Sequence, residues 1–412
     1  MTRIVHTADW HLGVRLIDCD RHEEHRAFLD WLLAELTVLR PDLLIVAGDI
    51  FDGSSPSQDA LNLYYRFLAK LVEVVKCRVL ILGGNHDSPA ALHAPREILA
   101  ALNIRVIATP PEKPRDALIE LSDVVVCAVP YLRERDVRTA APGQSADEVA
   151  TSIREGINRY YRTLHDSARL ITGDRLLVGT GHLTSIGSQV SPSERSIHIG
   201  NLGAVESTCF DGFAYTALGH IHSAQPVGGN DTVRYVGSPL ALSFAETMVP
   251  KEIRVIDISD NNLTHRAVAV PTFRALHRLT TSVATLVPDL TALQAPVGAP
   301  FPPWIELTVS DGRNHPDLDR QVRDSAANLN LRVLKVLSPS VGNEEADASH
   351  LPDSARSLDD LKPAQVFMER LRTANIDADS DEARTLIETF EHLLTLMQET
   401  PDLTLSSGEP QK

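Results

Sequence analysis

The sequence predicts an α/β protein with a parallel-rich sheet, a small second domain and a helical C-terminal tail. Three observations predict it. Short apolar runs alternate with amphipathic stretches over the first 275 residues. A compact strand–helix–strand unit follows a break at Ser282–Pro303. An acidic stretch rich in Ser and Pro then leads into two amphipathic segments. With 412 residues, 43% apolar and 23% charged, the chain has ordinary globular composition, which excludes wholesale disorder, collagen or a coiled-coil fibre. That length suits two or three domains.

The strand-like runs of the first part are Arg3–Thr7, Asp42–Ala47, Arg78–Leu82, Arg105–Ile107, Leu118–Pro130, Arg175–Gly179, Phe213–Leu218, Thr232–Val236 and Glu252–Ile258. In His22–Leu39, Phe28, Leu29, Leu32, Leu33 and Leu36 fall at i, i+1, i+4, i+5 and i+8, one face of a helix. Ala60–Val75 is patterned alike. Strands alternating with helices imply parallel pairing at this end. The later strands lie closer together and read as more antiparallel.

Ser282–Pro303, rich in Pro, Ala, Thr and Val, reads as a break whose first part could pair with Arg274–Thr281. Then come a strand at Trp304–Val309, a helix from about Pro316 to Leu329 and a strand at Leu331–Leu337. The expected organisation is residues 1–275, 276–340, an acidic linker 341–361 and a helical tail 362–412.

In the tail, Pro363 suits a first helical turn, and Phe367 and Leu371 stand i, i+4. In Asp381–Gln398, Leu386, Phe390, Leu393, Leu394 and Met397 form a stripe set among acids. Such a stripe packs on the chain's own body or docks on a partner. The acidic linker that isolates it favours docking. The last ten residues read as disordered, and no internal repeat is visible.

The net charge of −16 speaks against a large basic surface for nucleic acid. Residues 341–412 carry 16 acids and 6 bases, a net of −10, so the first 340 carry only −6. No apolar run nears the roughly 20 residues of a membrane span. The N-terminus runs straight into a strand without a signal-peptide pattern. Cys19, Cys77, Cys127 and Cys209 show no paired spacing, and Cys127 lies in an apolar run, so a cytoplasmic, reduced protein is expected.

Five polar clusters follow strand-like runs: Asp9-Trp10-His11, Gly48-Asp49-Ile50-Phe51-Asp52, Gly84-Asn85-His86-Asp87, Gly181-His182 and Gly219-His220-Ile221-His222. Ligands of open α/β sheets bind outside the carboxyl ends of strands. The clusters would bring Asp9, Asp49, Asp52, Asn85 and five histidines to one edge, with Asp87 in support. Glycine opens four of them and lets the backbone turn sharply. Carboxylate and imidazole suit Mn, Fe or Zn, and the lack of thiolate argues against a structural zinc site. The donors exceed one ion's needs. A shared carboxylate would give a two-metal site for phosphate-ester hydrolysis. Each motif alone is weak, since Asp-x-His or Gly-Asp also serves turns and caps. Asn-His-Asp after an apolar strand is costly without a ligand, and five motifs in strand order are specific.

These residues resemble the calcineurin-like metallophosphoesterase superfamily. More narrowly they resemble its SbcD-type nucleases, of the Mre class of repair nucleases. The narrower likeness rests on His6-Thr-Ala-Asp-Trp-His-Leu-Gly13, Gly48-Asp-Ile-Phe-Asp52, Gly84-Asn-His-Asp-Ser88, Gly200-Asn-Leu-Gly-Ala204, and Ala217-Leu-Gly-His-Ile-His222 followed by Gly237-Ser-Pro-Leu240. It covers nearly all of residues 1–275 and is looser beyond. It implies a four-layer sandwich of mixed sheets flanked by helices, a small α+β capping domain at 276–340 and a partner-docking tail. It also implies two divalent ions, most simply Mn²⁺. One would be held by Asp9, His11, Asp49 and His222, the other by Asp49, Asn85, His182 and His220. His86 would be the catalytic histidine that is not a ligand, oriented by Asp87. In archaeal relatives a second histidine stands where this chain has Asp52, which casts Asp52 as a supporting group. Phosphoprotein phosphatases usually place an arginine after the second motif, where this chain has Gly53.

The implied activity is 3′–5′ double-strand exonuclease and single-strand endonuclease. The implied work is DNA end processing, repair and recombination, with an SbcC-type coiled-coil ATPase docked on the C-terminal helices in a heterotetramer, acting on duplex ends and hairpins. A phosphodiesterase for a small or cyclic nucleotide would share the five motifs but needs neither cap nor tail. A scaffold with a degenerate site does not suit a complete ligand set. Elsewhere, His22, His25 and His93 on expected helices read as surface groups. Arg133 and Arg135 are candidates for DNA phosphates, and Ser193, Glu194 and Arg195 for a loop over the substrate.

Overall fold

Two six-stranded sheets lie face to face, each covered by helices on its outer side. The computed structural model describes residues 1–138, 145–189, 204–312, 315 and 317–338. The chain divides into two units, Met1–Pro339 and Ser340–Lys412. The second, with the linker and tail helices expected there, lies outside the described residues, as do Ser193, Glu194 and Arg195.

The first sheet contains β1 (Thr2–Thr7), β4 (Leu43–Ala47), β5 (Arg78–Leu82), β6 (Ile104–Ile107), β13 (Glu252–Ser259) and β14 (Asn262–Ala269). A two-stranded hairpin, β2 (Arg15–Leu16) and β3 (Cys19–Asp20), precedes the first helix. The order is β14-β13-β1-β4-β5-β6, with β1, β4, β5 and β6 parallel and β13 and β14 antiparallel at one edge. Parallel neighbours need crossovers, and α1 (His22–Leu39) and α2 (Gln58–Val74) supply two of them. Along β4 every side chain is buried. Leu43, Ile45 and Ala47 face the second sheet, while Leu44 and Val46 pack under Phe28, Leu32, Leu36 and Phe67 of the helices. Apolar residues on both faces mark a strand between two layers.

The second sheet is β11-β12-β10-β9-β8-β7, from β7 (Leu118–Glu120), β8 (Val124–Cys127), β9 (Leu176–His182), β10 (Tyr215–Gly219), β11 (Gln225–Val227) and β12 (Asn230–Tyr235). One expectation needs correction here, and another holds in part. Leu118–Pro130 is not one strand: Leu121 N–H bonds Val124 O at 2.9 Å and folds β7 back on β8. Among the later strands the expected antiparallel leaning holds for β13 and β14 of the first sheet and for β7 and β11 at the edges of the second, whereas β8, β9, β10 and β12 run parallel. The physical reason is a helix that the pattern reading passed over. Ala146–Thr172 carries the chain from β8 to β9 and covers the sheet with Ile153, Ile157, Tyr161 and Leu164. Ser145 and Glu148 form a capping box at its start.

The segment expected to form a cap is a parallel three-stranded sheet, β15 (Leu276–Thr281), β16 (Trp304–Val309) and β17 (Arg332–Leu337). The supposed break contains a helix, Leu286–Leu293, whose Leu286 and Leu290 are buried i, i+4 against Ile305 and Leu307. Residues 276–281 pair with β16 rather than with the segment after them, because that helix makes a parallel crossover possible. The following helix is Leu318–Ala326, shorter than expected. Trp304 and Leu276 seat the cap on Leu16, Cys19 and Phe244 of the body.

Candidate metal centre

All five clusters meet at one end of the two sheets. β1, β4 and β5 deliver Asp9, Asp49 and Asn85-His86 from the first sheet; β9 and β10 deliver His182 and His220-Ile221-His222 from the second. The loops after β1 and β4 are laced together. Asp9 N–H bonds Gly48 O at 3.1 Å, His11 N–H bonds Asp49 O at 3.1 Å, and Leu12 N–H bonds Ile50 O at 2.9 Å. Glycine is needed here more for closeness than for turning. Gly48 does have φ +91°, but a Cβ on Gly84 would stand 2.0 Å from Asp49 Oδ1. Asp9, His11, Asp49 and His220 themselves take positive φ.

Two groups of donors share one carboxylate. Asp9, His11 and Asp49 form one, and Asp49, His182 and His220 the other, each with one ligand atom per residue within 4.8 Å. His182 Nε2 lies 3.2 Å and His11 Nε2 3.6 Å from Asp49 Oδ2. Asn85 Oδ1 is 2.9 Å from both His182 Nε2 and His220 Nδ1. The His222 ring sits beside His11, centroids 5.0 Å apart. Backbone bonds fix the carboxylates: His220 N–H donates to Asp9, and His86 N–H to Asp49 at 3.0 Å. His182 is set by a bond between Nδ1 and Ala47 O at 2.8 Å.

His86 stands at the rim, its ring 4.9 Å from that of His11. Its Nδ1 bonds the backbone carbonyl of Asp52 at 2.8 Å. Asp87, expected to orient His86, does not reach that ring. Its buried carboxylate accepts N–H groups from Gly84 (2.9 Å), Phe51 (3.0 Å) and Ile50 (3.2 Å), so it ties the loops after β4 and β5. The orienting contact comes from the Asp52 backbone instead. The Asp52 carboxylate lies 3.4 Å from His11 Nδ1. Arg133 bonds Asp87 O at 3.3 Å and lies over the Tyr131 ring at 5.7 Å, beside the site. Arg135 is exposed and 3.8 Å from Asp136.

The surface reading of the helical histidines fails for His25, which is fully buried with Nε2 3.1 Å from Trp10 O. His93 is half-buried and its Nε2 accepts the Ala108 N–H at 3.0 Å, and His22 too is half-buried. Sequence reasoning missed Glu246, whose Oε1 is 3.7 Å from His222 Nδ1. Its signal is weak: a lone acid after Ser-Phe-Ala, with Lys251 five residues on.

Electrostatics fit a cation-binding role. Burial pushes Asp9 up to about 7, against the pull of His182 and His222. Burial also opposes charge on Asp49, yet His182, His11 and His86 outweigh it and hold that carboxyl below the usual range. Asp49 and Asp9 overcome burial to lift His182 to about 9. Burial lowers His11. Among the described residues no Lys or Arg pairs with Asp9 or Asp49. Both ring nitrogens of His11 are buried and face carboxylates, Asp52 at 3.4 Å and Asp49 at 3.6 Å. Buried carboxylates faced only by imidazoles, with no Lys or Arg, are what a metal would satisfy. The donors are oxygen and nitrogen without sulfur, which matches hard or borderline divalent ions.

The calcineurin-like phosphoesterase profile matches residues 2–224, and the profile described as type 5 capsule protein repressor C-terminal domain matches residues 272–375. The SbcD component of the SbcCD nuclease from Escherichia coli K12 is 34% identical over 400 residues, 95% of this chain and 97% of that protein. The Rhodobacter capsulatus protein of the same name is 33% identical over 74% of this chain and 78% of its own length. A dimetal phosphatase from Danio rerio aligns with 66% of this chain and 97% of its own, at 11% identity and TM-score 0.40. Among the described residues no helix is long and apolar enough to cross a membrane.

Proposed function

The chain belongs to the calcineurin-like phosphoesterase family and within it to the SbcD-type nucleases, and from that premise we propose a DNA nuclease component in which two divalent ions serve hydrolysis of backbone phosphodiesters. The observation that carries this is the sharing of Asp49 between two donor groups at the joint edge of both sheets.

Asp9, His11, Asp49 and His222 would hold one ion, and Asp49, Asn85, His182 and His220 the other; Mn²⁺ suits this donor set. When bound, the ion pair supplies an activated water and neutralises charge on the phosphoryl oxygens. The protein's own groups do the rest. His86 is oriented through Nδ1–H, which donates to the Asp52 carbonyl and leaves Nε2 free to act. Protonated, His86 donates from Nε2 to a phosphoryl oxygen or to the leaving 3′ oxygen. Asp87 keeps the loops that carry Asp49 and His86 in register. Arg133, backed by Tyr131, is placed to meet a neighbouring phosphate.

The cap would present duplex to this edge, and the tail at 362–412 would dock an SbcC-type ATPase in a heterotetramer that processes DNA ends. The net charge of −16 supports dependence on a partner for duplex affinity. The test is cleavage of a labelled duplex by the purified chain with Mn²⁺, with and without the ATPase and ATP, beside His86→Ala. Cutting that needs the metal, rises with the partner and is lost in the variant is expected. Hydrolysis of a simple chromogenic phosphodiester with no cutting of DNA would move the assignment to a small-substrate phosphodiesterase.

A further inference from the structure

One candidate ligand is gripped from outside the five clusters. Glu246 ends a single turn, Phe244–Glu246, and is 2% exposed. Its Oε1 faces His222 Nδ1 at 3.7 Å. Its Oε2 receives Lys251 Nζ at 2.9 Å and the Leu242 N–H at 3.2 Å. Lys251 Nζ also donates to the His222 carbonyl at 3.1 Å and to Ser238 Oγ at 2.9 Å. The Ser238 N–H bonds that same His222 carbonyl at 3.1 Å. The preceding glycine is required for this approach: a Cβ on Gly237 would stand 2.6 Å from His222 O. Gly237-Ser-Pro-Leu240, conspicuous in the sequence, thus belongs to the support of His222.

A metal-bound imidazole almost always gives its other ring nitrogen to a carboxylate, a carbonyl or water. A carboxylate on Nδ1 fixes the tautomer and the ring plane and raises the basicity of Nε2. We propose that Glu246, held in place by Lys251, is the positioning residue for His222: its carboxylate faces Nδ1 as the acceptor for Nδ1–H and so leaves Nε2 for the ion faced by Asp9, His11 and Asp49. This rests on the two-ion reading above. It assigns Glu246 no contact with substrate or with the reacting atoms.

The test is Mn²⁺ binding to the full chain, followed by calorimetry and by the electron paramagnetic resonance of free Mn²⁺. The wild type, Glu246→Gln, His222→Ala and the double variant are compared. ¹⁵N-histidine spectra of the metal-free proteins report the His222 tautomer. Glu246→Gln keeps an acceptor for the Leu242 N–H, and its metal-free melting temperature checks that the fold is intact. The expected result is one ion bound as in the wild type and the other weakened roughly 10–100-fold, the range for loss of a ligand's outer partner. The Nδ1–H signature of His222 should be lost or mixed. The double variant should be no worse than His222→Ala, because Glu246 acts through that ring alone. Unchanged affinity at both sites in Glu246→Gln, or additive losses in the double variant, would overturn the proposal. A wild type that binds fewer than two ions would instead bring down the two-ion reading.

Discussion

Removing the Asp87 carboxylate separates two roles for that residue. The structure gives it three backbone N–H donors, at 2.9, 3.0 and 3.2 Å, and burial at 2% exposure. In Asp87→Ala those donors lose their acceptor inside the protein. Hydrogen bonds to a charged group contribute about 1.5–3 kcal/mol each, and they are not additive when three share one carboxylate. Part of the gain already offsets the cost of burying the charge, which pushes Asp87 up to about 6, chiefly through burial and then through Asp49. A net loss of about 3–5 kcal/mol follows, at the high end for a single substitution. At about 2 °C per kcal/mol this lowers the melting temperature by ~6–10 °C. Asp87→Asn retains one acceptor and should lose less than half as much. Calorimetry of the metal-free protein, with duplex cleavage measured well below the transition, is the assay. Suppose Asp87→Ala melts within a degree or two of wild type, loses turnover and shifts its pH profile. Then Asp87 acts on His86 after all, and the loop-tie role drawn from its three hydrogen bonds is wrong.

Other perturbations have equally definite signs. Burial lowers His6 and His25 from 6.5 to about 3. Their contribution is whole above pH 6.5 and is lost as pH falls toward 3, because the unfolded chain takes up protons that the fold refuses. His6→Leu should therefore narrow the stability gap between pH 7.5 and 5.5 by about 1.4 kcal/mol; urea melts at both values check this, and an unchanged gap would count against it. Arg274 bonds the buried Glu24 at 2.7 Å, bonds Pro302 O and lies 4.4 Å over Trp304. Arg274→Ala should loosen the cap and open residues near 273–276 to limited proteolysis, and an unchanged digestion pattern would deny it that role. The isolated chain, at net −16, should bind duplex weakly and with strong salt dependence; titration at two salt concentrations decides, and tight salt-insensitive binding would contradict the charge argument.

The sequence announced the site better than the scaffold around it. Asp9, His11, Asp49, Asn85, His182 and His220 each follow an apolar strand, and parallel pairing brings strand ends together without further information. The ends of motifs are a different matter. Asp87 and His86 are neighbours in the chain, yet they face different partners, and only three dimensions show it. His25 looked exposed because helix position alone does not tell which face meets Trp10. The helix Ala146–Thr172 has a readable start in Ser145 and Glu148, and it is the crossover that lets β8 and β9 run parallel. The strand Asn262–Ala269 was equally signalled by Asp260-Asn261, a turn pair with φ of 52° and 60°. Glu246 had no signal of that kind, since a carboxylate that supports an imidazole is selected by distance in space rather than by spacing.

The backbone at the centre carries a cost that a ligand role explains. Asp9, His11, Asp49 and His220 have φ of 53°, 45°, 48° and 100°. A non-glycine residue in the left-handed region costs about 1–2 kcal/mol, although Asp and His tolerate it better than most. A strand that simply continued would point successive side chains to opposite faces. A left-handed residue just past its end turns the chain so that the side chain lies over the strand terminus, where donors from both sheets meet. The cross-loop bonds among Asp9, Gly48, His11 and Asp49 keep that conformation in place. Strain held at a site and offset elsewhere predicts a trade between stability and binding. His220→Gly should relieve the strained φ, so its metal-free form should melt no lower than wild type while it binds one ion far more weakly. A metal-free variant several degrees less stable would mean that the His220 side chain holds the fold together, and the strain would then need another cause.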